Sequence, residues 1–130
     1  MADSIEQVIY TWLQADSDLT SAFAGMYWMD ADAQIYPYLV YWLVDDTGTK
    51  SKLNKRNQGE ARIQFDIWDD NRIRGVRNRA LVKEKVDDIS ETVDGFELTT
   101  IGITEQTIIR ESATDPYHFI VDGIIQWREE

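Results

Sequence analysis

Twenty-four carboxylates and a single histidine are the raw material for chemistry in this 130-residue chain. Asp16-x-Asp18 and Asp30-x-Asp32 have the alternate spacing of a calcium loop. Neither continues to the glycine and the twelfth-position glutamate that an EF-hand requires. The first pair reads as helix capping and the second as surface charge. Glu60, Asp66, Asp69 and Asp70, with Lys55 upstream, could hold a magnesium ion in a nuclease-type site. Against that, Asp66 alternates away from Ile63 and Phe65, Asp70 is wanted as a helix cap, and no acid–x–Lys pair ends the strand. His118 lies in an alternating strand and reads as a satisfied or exposed strand residue, not as a general base. Ser4, Ser17, Ser51, Ser90 and Ser112 have no nucleophile elbow around them, and no Gly-rich phosphate loop is present. With no cysteine, disulfides and thiolate metal sites are excluded. The expectation is a non-enzyme with no cofactor, no cofactor-binding residue and no metal.

The elements that carry these residues are legible from periodicity. Ile5, Val8, Ile9, Trp12 and Leu13 form one apolar stripe of an amphipathic helix, capped by Asp3 or Ser4. Ser17-Asp18 caps a short second helix with Leu19, Ala22 and Phe23 inward and Gly25 as its stop. Met26 to Met29 reads as a short strand. Pro37 opens a strand that runs on through Tyr38 to Val44, since proline has no N–H for a ladder interior. Ala61, Ile63, Phe65 and Ile67 alternate with Arg62, Gln64, Asp66 and Trp68, a half-buried strand. Asp69-Asp70-Asn71 supplies the cap of a helix over Asn71 to Val93. Ile73, Val76 and Ala80 lie on one side of that helix, with Val82, Val86, Ile89 and Val93 on nearly the opposite side. A bend near Leu81 within one domain is the simpler reading; a subunit contact is the other. Phe96 to Arg110 is a strand with a bulge near Gly102. Tyr117, Phe119 and Val121 begin a last alternating strand, in which Gly123 marks a bulge or a close approach.

Together these give an α+β class: N-terminal helices, then a mainly antiparallel sheet of about four strands, with one long helix packed on one face. Residues 1–130 read as one domain, with 45–59 as a long loop, expected to be mobile and the first site of proteolysis. The N-terminus lacks the basic and apolar regions of a signal peptide. No apolar run approaches the ~20 residues that span a bilayer, so no membrane partner is expected.

The net charge of -11 disfavours gripping a nucleic-acid backbone. Its distribution says more: residues 1–49 carry -8, residues 50–85 carry +6, and residues 86–130 carry -9. A basic sector of one copy could meet an acidic sector of the next, head to tail, with charge setting register more than affinity. The candidate cations are Lys50, Lys52, Lys55 and Arg56 in the loop and Arg72, Arg74, Arg77 and Arg79 at the helix start. Asp87, Asp88, Glu91 and Asp94 are the candidate anions.

The order of strand, long loop, strand, cap and helix, with these residue types, resembles the small tail-completion proteins of long-tailed phages, also called tail terminators or tail-to-head joining proteins. Such proteins have a first helix carrying Ala-Asp near its end, a Pro-Tyr-led strand, a strand close to Arg-Ile-Gln-Phe-Asp-Ile-Trp, an Arg- and Ala-rich helix, and a final strand with alternating aromatics. Here those pieces are Gln14-Ala15-Asp16, Pro37-Tyr38, Arg62 to Trp68, Asn71 to Val93 and Tyr117 to Trp127. The resemblance covers most of the chain, and the middle strand carries it best. It implies a structural virion protein: a homo-oligomeric ring, hexameric in this family, that caps the tail tube and joins the tail to the head connector. The implied partners are further copies of itself, the tail tube protein and the connector or stopper, with DNA passing through the lumen without specific binding. The implied location is the head-proximal end of the tail, after assembly in the host cytoplasm. Another small connector component, or a non-viral protein-interaction module, remains the alternative.

Overall fold

The computed structural model of the chain describes residues 4–31, 35–47 and 58–130. Two helices open it, α1 (Ile5–Ala15) and α2 (Ser17–Ala22). Ser4 caps α1 by accepting the Gln7 N–H at 3.4 Å. The Asp16 carboxylate caps α2 through the N–H groups of Asp18 and Leu19, at 3.0 and 3.1 Å. Asp16 is thus the cap, one residue before the expected Ser17-Asp18, because its carboxylate is the one that reaches the N–H groups of the first turn, while Asp18 lies within α2 and pairs with Lys85 at 2.8 Å.

Strands β1 (Gly25–Trp28), β2 (Tyr38–Asp46) and β3 (Gln58–Asp69) follow, then α3 (Arg72–Asp87) and strands β4 (Ser90–Val93), β5 (Phe96–Ile108) and β6 (Tyr117–Glu129). All six strands form one sheet in the order β1-β2-β3-β6-β5-β4. Only β1 and β2 run parallel; every other neighbouring pair is antiparallel. The centre is the long β3–β6 ladder, continuous from Gln58↔Arg128 to Asp69↔Tyr117. Two β-bulges flank it. One lies between Leu43 and Asp45 on β2, the other between Thr100 and Gly102 on β5. The extra residues are Val44 and Ile101; such insertions bend a strand and increase its twist.

One face of the sheet is covered by helices. Ile63, Phe65 and Ile67 of β3, Phe119, Val121 and Ile125 of β6, and Leu39 and Tyr41 of β2 bury there against Ile9, Trp12, Leu13, Val82 and Val86. The alternation of β3 and β6 therefore assigns their faces correctly. Gly123 is a close approach: a Cβ there would meet Val86 Cγ1 at 2.7 Å.

The expected class needs three corrections. The described sheet has six strands, not about four. The covered face is shared by three helices, with no single long helix lying on it. The helix expected to reach Val93 stops at Asp87, and Ser90–Val93 turns back as β4 to pair with Phe96–Thr99 of β5. A tight turn through Asp94 (φ 49°) and Gly95 (φ 86°) makes that hairpin possible; both hold left-handed backbone that glycine and Asp tolerate best.

The bend near Leu81 is also replaced. The buried side of α3 is Gly75, Asn78, Val82 and Val86, at spacings of three and four. That is one continuous face of one helix. Its first half is lined by a glycine and an amide because a Cβ at Gly75 would strike the Phe119 ring, and Asn78 Nδ2 donates to Ala22 O at 3.4 Å. Ile73 and Val76 consequently point outward, 72% and 40% exposed.

Candidate functional site

The β3–α3 junction is built on Asp69, the fully buried last residue of β3. Its Oδ1 accepts the Asn71 N–H at 2.9 Å and Arg74 Nη2 at 2.7 Å, and its Oδ2 accepts Arg74 Nε at 2.9 Å. Arg74 also donates to Asp70 at 2.9 Å, and Asn71, the N-cap of α3, accepts the Arg74 N–H at 3.0 Å. Hydrogen bonding to Asp69 holds the Arg74 guanidinium above its ordinary pKa. Arg74 is therefore a junction residue that neutralises a buried carboxylate.

The other candidate cations divide. Arg79 lies over the Phe119 ring at 5.0 Å, donates to the Thr107 hydroxyl and pairs with Glu105 at 3.6 Å; Lys83 meets the same Glu105 at 3.6 Å. These contacts tie α3 to β5. Arg72 and Arg77 are exposed and make no ion pair among the described residues. Lys50, Lys52, Lys55 and Arg56, and most of the 45–59 loop, lie outside the described residues; Asp45, Asp46, Gln58 and Gly59 at its ends belong to β2 and β3. Of the candidate anions, Asp87 ends α3, Asp88 is its C-cap, Glu91 lies on β4 and Asp94 in the following turn; all four are exposed. The structure brings Arg72, Arg77, Ile73 and Val76 together on the outer side of α3 and leaves the acids at the opposite end of the helix and beyond.

The second face of the sheet carries a constellation that periodicity alone does not reveal. Register places Asp66 of β3 beside Val40 and Ile120, and its carboxylate gathers donors from three strands. His118 Nε2 lies at 2.8 Å, Trp42 Nε1 donates at 3.0 Å, and Gln64 Nε2 donates at 3.0 Å. The His118 ring stacks on Trp68 at 3.8 Å between centroids, and Tyr38 stacks on the other side of Trp68 at 6.3 Å. These rings shield Asp66, which is 8% exposed despite facing away from the helices. Asp66 and His118 lie 52 residues apart in sequence, so only knowledge of the strand register could have joined them. A shallow depression of about 370 Å³ opens over the group, floored by Tyr38, Trp42, Gln64 and Trp68. The magnesium-site acids do not converge: Asp66 is held by this network, Asp69 and Asp70 by Arg74, and Glu60 lies six residues along β3 from Asp66. No group of three or more metal-binding side chains occurs among the described residues, and no helix among them is long and apolar enough to cross a membrane.

The class that emerges is an α+β domain in which buried acids serve internal junctions, with one helix-covered and one open sheet face. The chain belongs to the tail completion protein gp17 family, whose model matches residues 7–126. That makes it a structural protein of the phage tail, associated with the virion. No curated protein matches it. Among solved structures, a chain of the virion of a native gene transfer agent particle shares the fold, with a TM-score of 0.61 at 13% identity over 98% of this chain and 95% of that one.

Proposed function

We propose that the protein closes into a homo-oligomeric ring, a hexamer on the family expectation, that terminates the tail tube and joins it to the head connector. The observation that carries this reading is the family match along residues 7–126. The similar fold in a gene transfer agent virion supports it, as does the exposure of Ile73 and Val76 on the outer side of α3. On this reading the protein works mechanically, without catalysis, with residues 1–130 as one domain. One surface stops tube polymerisation and a second is presented to the connector, at the head-proximal end of the tail.

The acidic balance suits the task. Carboxylates around a lumen repel phosphates, so a duplex slides through without sticking. Among the described candidate cations, Arg72 and Arg77 have no ion pair and could meet an acidic sector of the next copy, with the apolar ridge of Ile73 and Val76 between and beside them. Native mass spectrometry with negative-stain imaging tests the reading. A ring with a central hole at micromolar concentration is expected. A chain that stays monomeric at high concentration, with and without tail tube protein, would overturn it.

A further inference from the structure

The two edges of the sheet are stepped. On one edge β4 pairs only with Phe96–Thr99, so Gly102–Ile108 of β5 has a strand on its β6 side and, among the described residues, none beyond. On the other edge β1 pairs only with Tyr38–Tyr41, so Trp42–Asp46 of β2 is the outermost of the described strands there. The registers give the heights of these steps. β1 sits level with Ile67 and Trp68, through Leu39↔Ile67 and Tyr38↔Trp68. The open stretch of β5 spans the same level, through Ile108↔His118 and His118↔Trp68. Where one edge lacks a strand, the other has a short one.

We propose that these steps are two halves of one contact, in which β1 of one copy adds antiparallel to Gly102–Ile108 of β5 in the next. This rests on the ring reading above and names its strand contact. The directions agree: β1 runs parallel to β2 and β2 antiparallel to β3, and the antiparallel β3–β6–β5 series leaves β1 opposed to β5. An exposed strand edge is a template for another chain, and proteins blunt such edges with lysine, proline or inward charge. Gly102–Ile108 contains no lysine and no proline, and its one charge, Glu105, is already engaged by Arg79 and Lys83. No backbone hydrogen bond among the described residues reaches its outer side. Alternate N–H and C=O groups therefore face outward. The apolar side chains nearby are also exposed, Ile109 at 87% and Ile101 at 50%. The incoming β1, Gly-Met-Tyr-Trp, carries no charge at all. The contact is confined to β1 and β5, because Glu91 of β4 and the Asp45-Asp46 end of β2 carry like charge. It is heterologous: each copy donates β1 at one edge and accepts at the other, which closes a ring when the rotation permits.

The natural chain has no cysteine, which allows a clean cross-linking test. On the open face, Tyr27 faces Gln106 if Met26 pairs with Thr107, and Thr104 if Met26 pairs with Glu105. Three single variants, Tyr27→Cys, Thr104→Cys and Gln106→Cys, are made and oxidised alone and in mixture. Cross-linked dimers are expected when Tyr27→Cys is mixed with Thr104→Cys or Gln106→Cys, and not from any variant alone. A homodimer of Thr104→Cys or Gln106→Cys alone would mean a two-fold edge contact and overturn the proposal. Amide exchange on the unmodified chain supplies a second readout that needs no variant. Residues 103–107 should slow about tenfold or more between dilute and concentrated protein. Rings that form without mixed cross-links and without this protection sink the strand contact and spare the ring; the absence of rings, cross-links and protection together sinks both.

Discussion

Asp66 and Asp69 lie three residues apart on β3 and are held in different ways. Asp69 is fully buried and has a guanidinium of its own, so Arg74→Ala would leave a carboxylate without its counter-charge. A loss of about 2–3 kcal/mol is expected in urea unfolding; an unchanged midpoint would show that water replaces Arg74 freely. This also changes how electrostatic ring closure is tested, because reversing Arg74 would damage the subunit itself. Tyr41 presents the opposite situation. Its hydroxyl is buried without a hydrogen-bond partner among the described residues, and its ring packs edge-on to Trp28 and stacks with Phe65. Burial, reinforced by the Tyr10 phenol, pushes the Tyr41 pKa up. Tyr41→Phe should therefore stabilise the protein by about 1 kcal/mol. A phenol whose pKa is raised by folding stays protonated in the native state and ionises more readily when unfolded. Its share of stability is present below its ordinary pKa of about 10 and falls as pH rises above it. Wild type should lose stability between pH 10 and 12 more steeply than Tyr41→Phe, as thermal melts across that range would show.

At the scale of elements, β3, β6 and the first helix were legible because their apolar residues keep strict period. Trp12, Ile63, Phe65, Ile67, Phe119 and Val121 are all in the core, and Phe65→Ala should cost about 3–5 kcal/mol. What the sequence concealed has physical causes. The inner side of α3 begins with Gly75 and Asn78, so counting apolar residues finds the wrong side and suggests a bend. Ser90–Val93 continues an apparent helix, and only the turn at Asp94 and Gly95 sends it back as β4. The parallel pairing of β1 and the Asp66–His118 contact depend on strand register, to which neither local pattern nor spacing gives access. The closeness of α3 to the sheet has its own test. Gly123→Val would force Val86 away and cost about 2–3 kcal/mol, read as a lowered melting temperature; a stability equal to wild type would mean α3 can shift without loss.

For the whole molecule, on the proposed ring reading, charge and apolar surface would have different tasks in closing the ring. Exposed pairs contribute only about 0–1 kcal/mol each, so Arg72 and Arg77 can bias register but cannot hold copies together. Reversing both to Glu should impair closure and leave the melting temperature of the subunit unchanged. High salt should weaken rings without abolishing them. Native mass spectra across a salt series decide both points, and an unaffected double reversal would remove the electrostatic part alone.

The bulge in β5 bears on how many copies fit around such a circle. Ile101 is an extra residue, with no partner of its own between Thr100↔Ile125 and Gly102↔Ile124. A chain lacking Ile101 can keep every other β5–β6 pairing, whereas loss of Thr104 would turn the rest of the strand inside out. Deletion of Ile101 should thus leave a folded subunit with a straighter outer strand. If copies join through β1 and β5 as proposed, the turn from each copy to the next would follow the curl of the sheet at its rim, and that variant should form open arcs or circles of altered number, a change in particle mass with no change in fold.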